Sequence, residues 1–149
     1  MPRESNQVNR SPDDLLKYPR FDERKIAFRW SKDWWDGPIN GSIAYEGLFY
    51  WFDFYCDTEE PGNPYYYLAF PLSNQEAAAA DSWSAENERL LLEWRPLGND
   101  PQTRDLPSTQ NIAAKWKEHD ALLPNYSERE PAGWFVSGSN SSFYGVQLS

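Results

Sequence analysis

The chain has 149 residues, 17% of them aromatic, and a formal net charge of −9 at pH 7. Its length suits one hydrophobic core, and its negative field repels phosphate backbones and anionic lipid surfaces. We therefore expect no nucleic-acid partner and no membrane partner. The charge would suit a basic protein partner, although solubility alone also explains it.

The cysteine content and the N-terminus indicate the compartment. Cys56 is the only cysteine, so it has no partner for an internal disulfide, and its place in an apolar run indicates a buried or half-buried thiol. The first residues contain no apolar run of signal-peptide length, and no stretch of roughly eighteen apolar residues occurs. These features predict a cytoplasmic protein in a reducing environment.

The N-terminal segment 1–20 is polar and carries three prolines, which predicts a mobile arm ahead of a single α+β domain over 21–149. An alternative stays open for its second half. Pro12 follows a serine and precedes two aspartates, a pattern typical of a helix start. Leu15 and Leu16 could then dock on the domain.

The segment 30–70 holds fourteen of the twenty-five aromatic residues and contains the predicted hairpin. Glu46-Gly47 separates two β-forming runs, which is the layout of two strands joined by a two-residue turn. In that register one face carries apolar pairs, namely Tyr45 with Leu48, Ile43 with Tyr50, Gly41 with Phe52, and Ile39 with Phe54. The other face carries Asn40, Ser42 and Ala44 opposite Phe49, Trp51, Asp53 and Tyr55. A slip of one residue would exchange the two faces.

The remaining pattern predicts the rest of the fold. Residues 25–30 and 65–70 have β-forming composition, and 133–136 with 143–148 could form a closing hairpin. Ser73 and Glu76 have capping-box spacing at the start of a first helix, and the apolar stripe within 109–122 predicts a second. We expect an α+β fold: a small antiparallel sheet, a meander of three or more strands, with about two helices packed on one side.

The candidate site is the mixed face of the hairpin: Phe49, Trp51, Asp53 and Tyr55. Tyr and Trp rings give large rigid contact areas with a polar tip, so this face could bind a small polar ligand or a protein partner. Rings at strand periodicity also form cores, so a covering element is the alternative interpretation. Asp53 among rings would have a raised pKa unless it is hydrogen-bonded.

No motif in the sequence names a reaction, and we assign no catalytic residue, no metal ligand and no cofactor. His119, the only histidine, lies in an apolar stripe with Trp116, which favours a packing role. Cys56 lacks the basic neighbour that a reactive thiol needs. Between residues 33 and 60 lie seven carboxylates and no Lys or Arg: Asp33, Asp36, Glu46, Asp53, Asp57, Glu59 and Glu60. Solvated loop charges explain this cluster as well as a hard cation would.

Three aromatic stretches carry a resemblance. Trp34-Trp-Asp-Gly-Pro-Ile-Asn-Gly41, Tyr45-Glu-Gly-Leu-Phe-Tyr-Trp-Phe52 and Tyr65-Tyr-Tyr-Leu68 resemble a pattern in small uncharacterised bacterial proteins. The resemblance covers roughly residues 30 to 90 and implies a hairpin with a demanding turn. That group has no established activity, so the resemblance implies no function.

Two functional hypotheses follow, while the ligand and the oligomeric state stay open. The first is a non-enzymatic binding or interaction protein that uses the aromatic and acidic surface, for example an acidic, immunity-like inhibitor of a basic enzyme. The alternative is a small hydrolase that acts on a glycan or similar polar substrate with Asp53 and a second carboxylate.

The inhibitor hypothesis predicts a salt-dependent association rate. A chain of net charge −9 that meets a basic partner is steered by long-range attraction, which salt screens. Stopped-flow capture of the partner at increasing ionic strength should therefore give a falling association rate constant. A rate constant that is indifferent to salt would contradict this hypothesis.

Overall fold

The structure is a computed structural model that describes residues 12–34, 38–57 and 65–137. The chain divides into two compact units, one of Met1–Ala77 with Tyr126–Ser149 and one of Ala78–Asn125. The first contains the β-sheet and the second is helical. The α+β class is confirmed, whereas the description of 21–149 as a single domain stays a prediction.

The sheet has five antiparallel strands in the order β1-β2-β3-β4-β5, which is the order of the chain. The strands are β1 Ile26–Trp34, β2 Pro38–Tyr45, β3 Leu48–Asp57, β4 Tyr65–Leu72 and β5 Gly133–Ser137. The predicted meander is thus confirmed. The partner predicted for β5, at 143–148, lies outside the described residues.

The central hairpin has the predicted register, with Tyr45 opposite Leu48, Ile43 opposite Tyr50 and Gly41 opposite Phe52. Its turn residues Glu46 and Gly47 have φ of 50° and 83°. Two positive φ angles characterise the tight hairpin turn whose twist matches that of the flanking strands. The glutamate therefore adopts a backbone conformation that L residues seldom adopt.

The apolar face of the sheet forms the core. Its buried side chains are mostly rings from all parts of the sheet: Tyr50, Phe52, Phe54, Tyr65, Tyr67 and Phe135, with Ile26, Ile43 and Ala69 between them. Ring pairs cross the strands, as where Tyr67 stacks on Phe135 with centroids 5.1 Å apart. The Tyr67 hydroxyl donates to the Pro38 carbonyl at 2.6 Å, so its buried polar tip is satisfied.

Phe21 shows that the sheet is strongly curved. Its backbone N–H donates to the Trp134 carbonyl at the outer side of β5, while its ring stacks on Tyr45 of β2 at 4.1 Å. Four strand spacings separate these positions, about 19 Å in a flat sheet, which is beyond the reach of two ring side chains. The sheet therefore curls until residues 19–21, here called the strap, connect its β5 side to its β1 side.

Trp134 holds the strap through each of its polar groups. Its N–H donates to the Pro19 carbonyl, its C=O accepts from Phe21, and its indole Nε1–H donates to the Tyr18 carbonyl at 3.0 Å. Gly133 beside it lies so close to the Phe21 ring that a Cβ would overlap it. The outer side of β5 is thus paired rather than an open edge.

The prediction that residues 1–20 form a mobile arm is a statement about motion, and it stays a prediction. Of that segment the structure describes 12–20, where Pro12–Lys17 forms a 3₁₀ helix. Leu15 is buried with 1% exposure, whereas Leu16 is 71% exposed. These residues match the alternative interpretation, in which a short helix begins at Pro12 and buries one of its leucines.

Two α-helices connect β4 to β5, namely α1 Asn74–Gly98 and α2 Pro107–Asp120. The capping box at the start of α1 is confirmed, since the Ser73 hydroxyl accepts from the Glu76 N–H and the Glu76 carboxylate accepts from the Ser73 N–H. None of the helices in the described part of the chain combines the length and apolarity needed to cross a bilayer.

Truncation of Phe21 tests the strap. The Phe21→Ala variant removes a buried ring, so we expect it to lower the free energy of unfolding by about 3–5 kcal/mol in a urea titration. Leu16→Ala, in the 3₁₀ helix that precedes the strap, removes a 71% exposed side chain. It should change the free energy of unfolding by no more than about 0.5 kcal/mol. Equal effects of the two substitutions would contradict the role assigned to Phe21.

Candidate functional site

Trp51, the centre of the predicted binding surface, is covered by protein. It is 4% exposed, and its ring meets Trp30 at 5.7 Å and Tyr126 at 5.5 Å. Tyr126 belongs to a 3₁₀ helix over Tyr126–Glu128, here called the cover helix. The covering element weighed as the alternative interpretation is therefore present over this ring.

Phe49 is half-buried on the same face. The guanidinium of Arg29 lies over its ring at 4.6 Å and donates to the hydroxyl of Ser42 at 2.8 Å. A cation over a ring face is attracted by the ring quadrupole. Arg29 thus occupies the area that Phe49 would offer to a ligand.

Asp53 is half-buried and hydrogen-bonded within the sheet unit. Ser127 of the cover helix donates to its Oδ2 at 2.5 Å, and its strand neighbours are Asn40 and Leu68. The Ser127 hydroxyl therefore supplies the hydrogen bond that a half-buried carboxylate such as Asp53 needs. Trp51 and Asp53 are therefore brought together, both in contact with the cover helix.

Tyr55 departs from this arrangement because of a β-bulge. The pairing of β3 with β4 shifts between Phe54 and Cys56, which leaves Tyr55 out of the ladder. Its hydroxyl donates to Asp14 of the N-terminal 3₁₀ helix at 3.1 Å. The predicted row of four side chains is therefore interrupted after Asp53, although the binding role of these residues stays a prediction.

An ion pair fixes the cover helix. Arg129 donates to both carboxylate oxygens of Glu76 and to the Pro71 carbonyl at 2.8 Å, while its guanidinium lies over the Tyr126 ring. The hydrogen bond from Arg129, helped by the Ser73 N–H, lowers the pKa of Glu76 to about 2. Burial raises the pKa of the Tyr126 phenol, and the Glu76 charge adds to that effect.

The helical unit contains a reciprocal clasp between α1 and α2. The Trp83 and His119 rings stack at 5.2 Å with their planes 9° apart. The Trp83 indole N–H donates to the His119 carbonyl, and His119 Nε2 lies 2.8 Å from the Trp83 carbonyl. Since a carbonyl only accepts, Nε2 carries the proton. His119 thus lies where its apolar stripe predicts, in the packing between helices.

An open groove lies beside this contact. It has a volume of about 490 Å³. Its lining residues are Leu91 and Trp94 of α1 with Gln110, Ala113, Ala114, Trp116 and Lys117 of α2. The Trp94 ring lies against Gly98, where a Cβ would overlap it, and the Trp116 indole N–H donates to Asn87 at 2.8 Å. The groove lining thus combines two rings that have contacts of their own with two alanines.

This groove was not predicted from the sequence. Trp116, which the sequence places in an apolar stripe with His119, does contact α1, since its indole N–H donates to Asn87. The signal that could have identified it is a second face of α2, in which Gln110, Ala113 and Lys117 recur at i, i+3 and i+7. Two small residues beside large rings leave space rather than fill it.

Comparison with known proteins gives no relative: no family model, no curated protein and no solved structure matches the chain. The function must therefore be argued from the geometry of an α+β protein. Among the described residues no group of three or more His, Cys, Asp or Glu side chains could hold a metal ion. Asp36, Glu59 and Glu60 of the acidic cluster lie outside the described residues.

The Glu76–Arg129 pair predicts a specific pH dependence of stability. Because the pKa of Glu76 falls to about 2 in the folded protein from its ordinary value of 4.5, the pair stabilises the fold above pH 4.5. This contribution is lost as the pH falls toward 2. In urea titrations, the stability advantage of wild type over Glu76→Gln should therefore shrink across this interval.

The reference for that measurement is Glu130→Gln. This variant removes one exposed carboxylate from the same segment as Arg129 but leaves the ion pair with Glu76 in place. If Glu76→Gln and Glu130→Gln give the same pH profile, the stabilisation does not come from the pair.

Proposed function

We propose that the chain is a non-enzymatic binding protein whose binding site is the groove between α1 and α2. The observation that carries this proposal is the open volume of about 490 Å³. Small-molecule sites typically enclose about 300–1,000 Å³, with mostly apolar walls and a few polar groups. The groove has both properties, since five of its seven lining residues are apolar.

The contacts around the groove support a preformed site. The Trp83–His119 clasp joins α1 to the last turn of α2 through two hydrogen bonds and a ring stack. Asn87 and Trp116 connect the helices one turn further along. A ligand that enters a groove held in this way avoids the cost of ordering its walls.

The groove is favoured over the predicted sheet surface because of what each offers to a ligand. Trp51 and Phe49 already contact Tyr126 and Arg29, so a ligand would have to displace these side chains first. The groove provides apolar area without such a displacement. The hypothesis of a basic partner rests on the net charge, and the hypothesis of a hydrolase rests on Asp53. Both stay predictions.

A neutral fluorescent probe tests the groove. N-phenyl-1-naphthylamine brightens in apolar sites, so its titration should give saturable binding to the wild-type protein. Ala114→Phe fills the groove from an exposed helix position and should weaken binding by roughly tenfold, or ~1.4 kcal/mol.

The matched control is Ala85→Phe. Ala85 is an exposed alanine of α1 outside the groove lining, so the substitution has the same cost in helix propensity and should leave probe binding unchanged. If the probe does not bind, or if both variants weaken it equally, the groove is not the binding site.

A further inference from the structure

The charge of the groove differs from the charge of the chain. Acidic residues outnumber basic ones by 23 to 14 in the whole sequence. Within the described part of the chain, however, the groove lining contains no carboxylate and one cation, Lys117. Lys117 pairs with no carboxylate among the described residues, whereas Arg89 of α1 is engaged by Glu86 and Glu93. The groove therefore offers one unneutralised positive group at the edge of an apolar surface.

The polar groups are placed at the two ends of one helix face. Gln110 and Lys117 are seven residues apart on α2, which corresponds to about 10 Å along the helix axis. Ala113 and Ala114 lie between them in the sequence and also line the groove. The Gln110 amide N–H already donates to the Arg104 carbonyl at 2.8 Å, so Lys117 is the end with free donors for a ligand.

We infer that the groove binds an apolar carboxylate about 10 Å long. Its apolar body lies over Ala113 and Ala114 between Trp94 and Trp116, and its carboxylate pairs with the Lys117 ammonium. This inference rests on the proposed function and specifies the chemical class of its ligand. A fully apolar ligand would leave the lysine unused, and a cation would be repelled by it.

The charge preference should be modest for two reasons. Lys117 is exposed, and exposed ion pairs contribute only about 0.2–1 kcal/mol. It also lies in the last turn of α2, where the helix dipole disfavours an anion. We therefore expect the protein to bind a carboxylate roughly two- to fivefold more tightly than the matching alcohol.

Octanoate and 1-octanol provide the test, since they share an alkyl body and differ in charge. Dissociation constants are measured by titration with detection of the indole N–H signals of Trp94 and Trp116 in ¹⁵N-labelled protein. Octanoate should bind about two- to fivefold more tightly than octanol. Lys117→Gln should abolish this preference for the carboxylate over the alcohol, while Lys115→Gln, two residues away and outside the lining, should retain it.

The outcomes separate this inference from the proposed function. Octanol binding that equals octanoate binding in wild type, or a preference that survives Lys117→Gln, would overturn the carboxylate assignment. If neither compound shifts the Trp94 and Trp116 signals while N-phenyl-1-naphthylamine still binds and Ala114→Phe still weakens it, the carboxylate inference fails and the groove remains a binding site. If the neutral probe also fails to bind, both proposals fall.

Discussion

The hydrogen bonds between the strap and Trp134, together with the stack of Phe21 on Tyr45, connect the β5 side of the curved sheet to the segment that leads into β1, a closure made by the strap and not by strand pairing. A five-stranded meander without this closure would have an exposed edge and an open concave face lined by rings. The closure places those rings in an interior where Phe52, Tyr67 and Phe135 are almost without exposure. Every assignment of a side chain to the inside or the outside of the sheet depends on it.

The high aromatic content is thereby explained mainly by architecture. A small curved sheet encloses little volume per residue, and large rings with edge-to-face contacts fill it efficiently. A ring on the outer face of the sheet is covered as well, because the cover helix lies over Trp51 and the Glu76–Arg129 pair holds that helix in place. Trp51, the centre of the surface predicted from the sequence, is thus engaged in the fold, and an open apolar groove lies in the helical unit.

The elements that were predictable from the sequence are those with local signals. The turn at Glu46-Gly47 fixed the hairpin register, because two flanking strands of alternating pattern leave one register that buries the apolar set. The capping box at Ser73 and Glu76 marked the start of α1 for a similar reason, since both of its hydrogen bonds are made within four residues.

What could not be predicted depends on distant contacts. Phe21 stands between polar residues, so no periodicity marks it as the ring that closes the sheet. Tyr126 is likewise a single ring in a short polar segment, and only its contact with Trp51 reveals its covering role. The bulge at Tyr55 interrupts the alternation on which the predicted row of four side chains relied. The groove exists because alanines leave space, and a pattern search for large side chains does not register it.

The anchoring of the strap has a consequence for how the protein reaches its folded state. The indole of Trp134 and the carbonyl of Tyr18 are 116 positions apart in the chain, so a ribosome must synthesise all five strands before these two groups can meet. The earlier strands emerge from the ribosome with their aromatic face exposed to solvent. Contacts between residues that are far apart in the sequence form slowly. An uncovered aromatic surface of this kind favours self-association until the strap is in place.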